Sequence, residues 1–403
     1  MPLFSDRERD DPGPKRYPET DLEFYERVAG PYWDAVRGVL ESWFGRLPDG
    51  SRVDVRRRLG GKHRREFDGA FWELYLHELF RCAGFAVTYQ PRVARPDAAD
   101  LTPDLLVDGY GQRIYVEALV VADPDDESLE ARRRTELVDG INGRVKSLDF
   151  RLSFEIDAMG MAAPPIGRIG RSLQGWLGAL PHPDSLDAWQ RRHGVFAWPP
   201  WRWREDGWDL EASPMPLPAD QRDDAGPLIA FGPSWGKTIA ATADARTIRE
   251  ALRGKAKRYR DLDAPFLVAL LLRRGFTSDR DVPGALLGGA PLDETLRCGG
   301  FVKGSPGVDL DGLWATVEGP KRRHVSAVLV SDNLIPEAVA RQVPTLWHGP
   351  WAERPAAALP FARSVLYREG GRLEFQPADV AVAEVLGLLD GWPPGEPFSP
   401  SPG

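Results

Sequence analysis

Between Phe67 and Val121 the chain reads as a helix, a short strand and a hairpin in immediate succession, an order that commits it to an α/β core. The helix is Phe67-Asp-Gly-Ala-Phe-Trp-Glu-Leu-Tyr-Leu-His-Glu-Leu-Phe-Arg-Cys82, apolar at helical spacing, with Gly84 just past its end. A strand is predicted over Phe85 to Tyr89. Pro103-Asp-Leu-Leu-Val, a Gly109-Tyr-Gly-Gln turn and Arg113-Ile-Tyr-Val-Glu-Ala-Leu-Val-Val then form the two arms of a hairpin. If the hairpin turns on Tyr110-Gly111, paired residue numbers sum to 221 and Asp104 stands across from Glu117. Their β-carbons would then be roughly 4.5–5.5 Å apart, close enough for like charges to repel, so a compensating group is expected. Ile114, Val116, Ala118 and Val120 share one face of the second arm, and Arg113, Tyr115, Glu117 and Leu119 the other. With Glu73 on the helix, three carboxylates can meet, a chemistry suited to a divalent cation bound through oxygen.

From about Glu66 to Ile156 the chain resembles the PD-(D/E)xK nuclease superfamily, the restriction-endonuclease-like fold. Pro103-Asp104 is similar to the proline-aspartate element, Glu117-Ala118-Leu119 stands at the (D/E)xK position, and Glu73 matches the first-helix glutamate of the resolvase-like branch. The resemblance implies an α-β-β-β-α-β core and a Mg²⁺ site, with Mn²⁺ as a substitute. Asp104, Glu117, the backbone carbonyl of Ala118 and Glu73 would supply its ligands. The chain departs from the family at Leu119, which replaces the lysine that orients the attacking water. Lys255 is the expected replacement, because it lies in Ile248-Arg-Glu-Ala-Leu-Arg-Gly-Lys-Ala-Lys-Arg-Tyr259, a helix running into the strand Pro265-Phe-Leu-Val-Ala-Leu-Leu-Leu. Its spacing to Tyr259 is similar to the Gln-x-x-x-Tyr element of some nuclease branches.

The expected activity is Mg²⁺-dependent cleavage of phosphodiester bonds in DNA, with Asp104, Glu117, Glu73 and Lys255 as catalytic residues. The alternative is a catalytically inactive nuclease-fold module that binds nucleic acid or a protein partner, a reading favoured by Leu119 and by the net charge of −8. RNA stays open beside DNA, and a double-strand cutter of this kind would act as a homodimer. Basic stretches flank the acidic residues in sequence: Arg52 to Arg65 before the helix, and Arg132 to Lys146 after the hairpin. Arg64, Arg65, Arg144, Lys146 and Tyr259 are the expected nucleic-acid contacts.

At 403 residues the chain is long enough for two domains or for one core with a sizeable insertion, and 42% hydrophobic with 28% charged residues is the balance of a globular protein. A flexible segment is expected over 1–20, helices over 21–65, the nuclease-like core over 66–158, and over 159–390 an additional α/β region that either extends the core sheet or forms a second α/β layer. A disordered tail is expected over 391–403. Within the core, Glu127 to Lys146 reads as the last helix and Asp149 to Ile156 as the last strand. Trp198-Pro-Pro-Trp-Arg-Trp-Arg-Glu-Asp-Gly-Trp208 offers either a base-stacking surface or a packed hairpin. Gly232 to Thr238 fails as a phosphate loop because its two glycines are one residue too close. Only two cysteines are present, Cys82 and Cys298, which excludes a disulfide framework. No apolar run reaches the length of a membrane span and no leader is evident at the start, so no membrane contact and a cytoplasmic location are expected.

Overall fold

The computed structural model describes the chain apart from residues 14, 16–18, 96–98, 123–128, 195–197, 220–221, 223–227, 236–244, 274–280, 289–310, 317, 369–371 and 398–403. Residues 236–238 of the glycine-lysine-threonine segment lie outside the described residues. The chain divides into two units: Met1–Lys15, Glu19–Asp123 and Thr242–Gly403 in the first, Arg16–Pro18 and Pro124–Ala241 in the second.

In the first unit, helices α1 (Asp21–Arg27), α2 (Pro31–Arg46), α3 (Asp49–Leu59) and α4 (Arg64–Cys82) precede β1 (Ala86–Tyr89), β2 (Leu105–Gly109) and β3 (Gln112–Ala122). The second unit holds α5 (Leu129–Arg144), β4 (Phe150–Ala158), α6 (Ile166–Gly178), α7 (Pro183–His193), β5 (Trp201–Glu205), β6 (Trp208–Pro216) and β7 (Ile229–Trp235). The chain then returns to the first unit with α8 (Ala245–Arg258), β8 (Phe266–Arg273), α9 (Asp281–Leu287), β9 (Ala315–Thr316), β10 (Gly319–Pro320) and β11 (Val325–Asp332). The series closes with β12 (Thr345–His348), β13 (Arg363–Arg368), β14 (Arg372–Gln376) and α10 (Val382–Leu386). Among the described residues no helix is long and apolar enough to cross a membrane.

The first unit is built on an eight-stranded mixed sheet in the order β1-β2-β3-β8-β11-β12-β13-β14. β8 runs parallel to both β3 and β11, and all of its residues are buried. That is the burial expected of a central parallel strand covered on both faces. One face packs on α1 to α4, burying Phe71, Leu76, Val116 and Leu267 among others. The opposite face packs on α8 and α9, burying Leu119, Leu252, Tyr259 and Leu270.

Two local devices set the strands leading to the acidic residues. Gly84 at φ 92° ends α4, with the Gly84 N–H donating to the Arg81 carbonyl and the Phe85 N–H to the Phe80 carbonyl. The Phe80 and Phe85 rings meet edge to face at 5.3 Å, completing a Schellman cap that turns the chain directly into β1. The β2–β3 hairpin turns on Tyr110 and Gly111, both at positive φ, as a two-residue type I′ connection requires. Tyr110 is a costly residue there, and its hydroxyl donates to the Ala83 carbonyl at 2.7 Å while its ring meets Phe85. The pairs Leu105–Val116 and Val107–Ile114 carry the register in which paired numbers sum to 221, as expected.

The structure corrects the reading of the last core strand. β4 belongs to the four-stranded sheet of the second unit, in the order β5-β6-β4-β7, and does not join the large sheet. The α-β-β-β-α-β run on the large sheet is completed instead by α8 and β8, with the second unit inserted between β3 and α8. Burial along β4 alternates, which suits a strand with one covered face, whereas β8 is buried throughout and apolar up to its last residue, Arg273. In the second unit Trp201 and Trp208 are buried in the β5–β6 hairpin. Its Arg202 and Arg204 pair with Glu211 and Asp209, so this segment is a packed hairpin.

Described residues near both ends of the chain pack on the core. Leu3 and Phe4 are buried in the core beside α2, and their N–H groups donate to Glu41, because the apolar pair has a hydrophobic site to fill. Trp392 is buried as well, and the Trp33 indole donates to the Pro397 carbonyl.

Candidate functional site

α4 is buried on nearly every side, which forces its polar residues to find partners inside the protein. Asp68 takes Arg273, Glu78 takes Arg46, Arg81 and His77, and Glu73 takes Arg58 and Tyr89. The three cationic or donor groups around Glu78 hold its carboxyl down at about 2 against the opposing effect of burial. Arg58, from α3, grips both Glu73 oxygens at 2.6 and 2.7 Å, and the Tyr89 hydroxyl donates to the second of them at 2.8 Å. The Arg58 Nε–H is taken by Asp54 at 2.8 Å. Arg58 and Tyr89 were not singled out as site residues from sequence. The signals are the arginine run of α3 and the phenol at the tip of β1.

Asp104 sits at the entrance to β2, where its carbonyl accepts the Gln90 N–H and its Oδ2 accepts the Ala118 N–H at 2.7 Å. A strand residue's N–H and C=O point to the same lateral side, so the Ala118 carbonyl is also aimed past the end of β2, toward Asp104. Burial, Glu117 and then Glu73 push the Asp104 carboxyl up to about 8, with the Ala118 N–H and Lys255 acting in the opposite direction.

Glu117 lies on the face of β3 that packs against α8 and is 3% exposed. Lys255 reaches it from α8, with Nζ 2.6 Å from Oε1. The other oxygen, Oε2, is buried and has no hydrogen-bond partner. Leu119, two residues along the same face, is buried in the cluster that includes Leu252 and Ala256 of α8. The carboxylate on the strand is therefore met by a lysine from the helix crossing it. Tyr259 follows Lys255 by four residues, and its hydroxyl donates to the Thr102 carbonyl at 3.2 Å. Burial and then the neighbouring Glu117 carboxylate push the phenol well above its usual range.

The structure thus joins Asp104, Ala118, Glu117 and Lys255 and sets Glu73 apart. Among the described residues no three His, Cys, Asp or Glu side chains come together as a ready-made cation cage. Glu73, expected in such a cage with the other two carboxylates, is held by Arg58 and Tyr89 through three hydrogen bonds. Tyr259 is fully buried, so its expected contact with nucleic acid is corrected. Arg64 and Arg65 are exposed at the start of α4, beside exposed Lys62 and His63. Arg144 and Lys146 are exposed residues of the second unit, where Lys146 donates to the Asn142 carbonyl. His324 and His348 are single, partly buried imidazoles engaged by Ala256 and Ser364, and burial lowers both below the ordinary histidine value.

Two carboxylates, one of them with a buried oxygen that makes no hydrogen bond, and a backbone carbonyl aimed toward Asp104 form an oxygen-donor set of the kind that takes a hard divalent cation. No protein family model, curated protein or solved structure matches the chain.

Proposed function

We propose that the chain is a metal-dependent nuclease of the PD-(D/E)xK superfamily acting on DNA, with a restriction-endonuclease-like core made of α4, β1, β2, β3, α8 and β8. The contact between Lys255 and Glu117 carries this reading, because it supplies from a helix the cation missing at Leu119. Asp104, Glu117 and the Ala118 carbonyl would hold Mg²⁺ or Mn²⁺. A cation bound there supplies Lewis-acid polarisation of a phosphoryl oxygen and lowers the pKa of water.

The remaining work falls to the chain's own residues. Lys255, with its side chain 31% exposed, can reach solvent as well as Glu117 and so orient an attacking water or meet charge developing on the phosphate. The Ala118 N–H fixes the Asp104 carboxylate, and the Tyr259 hydroxyl holds the Thr102 backbone against α8. Glu73 acts at one remove, by holding Arg58 and Tyr89 beside the site. Exposed Lys62, His63, Arg64 and Arg65 suit contact with backbone phosphates.

Incubating the protein with plasmid, linear duplex and single-stranded DNA in Mg²⁺ or Mn²⁺ tests the reading. Cleavage by the wild type, absent in Glu117→Ala and in EDTA, is the expected result. A second reading, a non-catalytic module that binds nucleic acid or a protein partner, draws on the commitment of Glu73 to Arg58 and Tyr89. Retained DNA binding with no cleavage in either metal would favour it.

A further inference from the structure

Beside the acidic pair the chain opens a second feature that the proposed chemistry does not use. Gln90, Arg92, Ala99, Asp100 and Thr102 line an open cleft of about 700 Å³, a size found among ligand sites. Its walls are the two ends of the excursion between β1 and β2, tied at its base by reciprocal hydrogen bonds between Val93 and Leu101 at 2.8 and 2.9 Å. Two further bonds connect this wall to the site. Gln90, turned at φ 48°, donates its N–H to the Asp104 carbonyl at 2.8 Å, and Thr102 receives the Tyr259 hydroxyl.

The lining is an amide, a guanidinium, a carboxylate, a hydroxyl and a methyl group, with no aromatic ring on which a base could stack among the described residues. Such a surface reads phosphate and sugar. Arg92 is the cation there: its side chain is 83% exposed, and Asp100 engages it through Nε at 2.5 Å, which leaves the two terminal amino groups directed to solvent. Asp100 is held in turn by the Arg95 N–H at 3.4 Å. An exposed ion pair of this kind is weak, so an incoming phosphate can draw the guanidinium to itself.

We infer that this cleft seats the sugar-phosphate backbone of the DNA strand next to the bond held at Asp104 and Glu117, with Arg92 contacting a phosphate and no base being read. The inference rests on the nuclease reading above.

Its test is the salt dependence of binding, measured by fluorescence anisotropy with labelled single-stranded and duplex DNA on Glu117→Gln protein, which does not cut. Adding Arg92→Gln is expected to reduce the slope of log affinity against log salt by about 0.7 on single strands or about 0.9 on duplex, the loss of one phosphate contact. Affinity should fall several-fold and equally on DNA of different sequence. Arg92→Lys should keep the slope, and Arg191→Gln, which removes an exposed arginine of the second unit, should leave it unchanged. A slope unaltered by Arg92→Gln, or a loss confined to one base sequence, overturns the inference while leaving the nuclease reading intact. Absence of DNA binding by both the wild type and the Glu117→Gln protein overturns the two together.

Discussion

Lys255 Nζ lies 2.6 Å from Glu117 Oε1, although 137 residues and an entire inserted unit separate the two along the chain. The pair exists because β3 turns Glu117 and Leu119 to the same face and α8 crosses that face. A cation on the helix can then stand where one on the strand would have pointed. Burying Glu117 without it would leave an uncompensated carboxylate, so the contact serves folding as well as the proposed chemistry.

Replacing Lys255 by Met is therefore expected to slow DNA cleavage in Mn²⁺ by about 10²- to 10⁴-fold, the range for loss of a positioned proton-transfer or charge-stabilising group. Leu119→Lys in the Lys255→Met background returns a cation to the same strand face and should recover part of that loss. Single-turnover rates on duplex DNA measure both. Unchanged cleavage in Lys255→Met would remove Lys255 from the site, and a double variant no faster than the single would mean that the strand position cannot supply the charge.

Asp104 makes stability depend on pH in a defined direction. Its carboxyl is raised to about 8 by burial, Glu117 and Glu73, above the ordinary value of 3.8 it would have in the unfolded chain. Between these values the folded state holds a proton that the unfolded state has lost. Stability therefore falls as pH rises through this window and levels off above it. Asp104→Asn keeps an acceptor for the Ala118 N–H and removes the titration. Urea unfolding at a series of pH values should show the variant gaining on the wild type through this window and levelling off beyond it; a constant difference would contradict the assignment.

The legible parts of the site were those written in local pattern. The helix, its terminal glycine, the hairpin turn and the register between β2 and β3 follow from spacing and turn chemistry within some fifty residues of chain. Lys255 was reachable because lysines are scarce and its helix runs into an apolar strand. The membership of β4 was misread because a strand's burial pattern does not say which sheet it joins, and an insertion between β3 and α8 leaves no local mark. Arg58 was hidden among the other arginines of α3. Only the fold shows that this one faces Glu73 while Arg57, beside it, faces solvent.

Glu73 is assigned to holding Arg58 and Tyr89, and stability separates that role from cation binding. With both side chains of the ion pair largely buried, breaking it by Glu73→Gln is expected to cost about 2–4 kcal/mol. Cleavage of DNA should fall less than in Glu117→Gln. Denaturant midpoints at constant slope, with rates measured on the folded fraction, distinguish the two. Full stability combined with a loss of cleavage equal to that of Glu117→Gln would instead make Glu73 a direct participant.

Cation binding and the raised Asp104 carboxyl are coupled. A carboxylate must be ionised to serve as a ligand, so binding near pH 7 should displace the proton that Asp104 otherwise retains. Titration calorimetry with Mg²⁺ or Mn²⁺ in buffers of different ionisation enthalpy should therefore report net proton release, larger at pH 7 than at pH 9. The same binding should raise the melting temperature, corresponding to about 2.7 kcal/mol when the cation stands at a hundred times its Kd. Asp104→Asn should abolish the proton release, and Glu117→Gln should abolish the stabilisation. Proton release unchanged in Asp104→Asn would locate the titrating group elsewhere, and a melting temperature indifferent to both metals would remove the cation from the proposed chemistry.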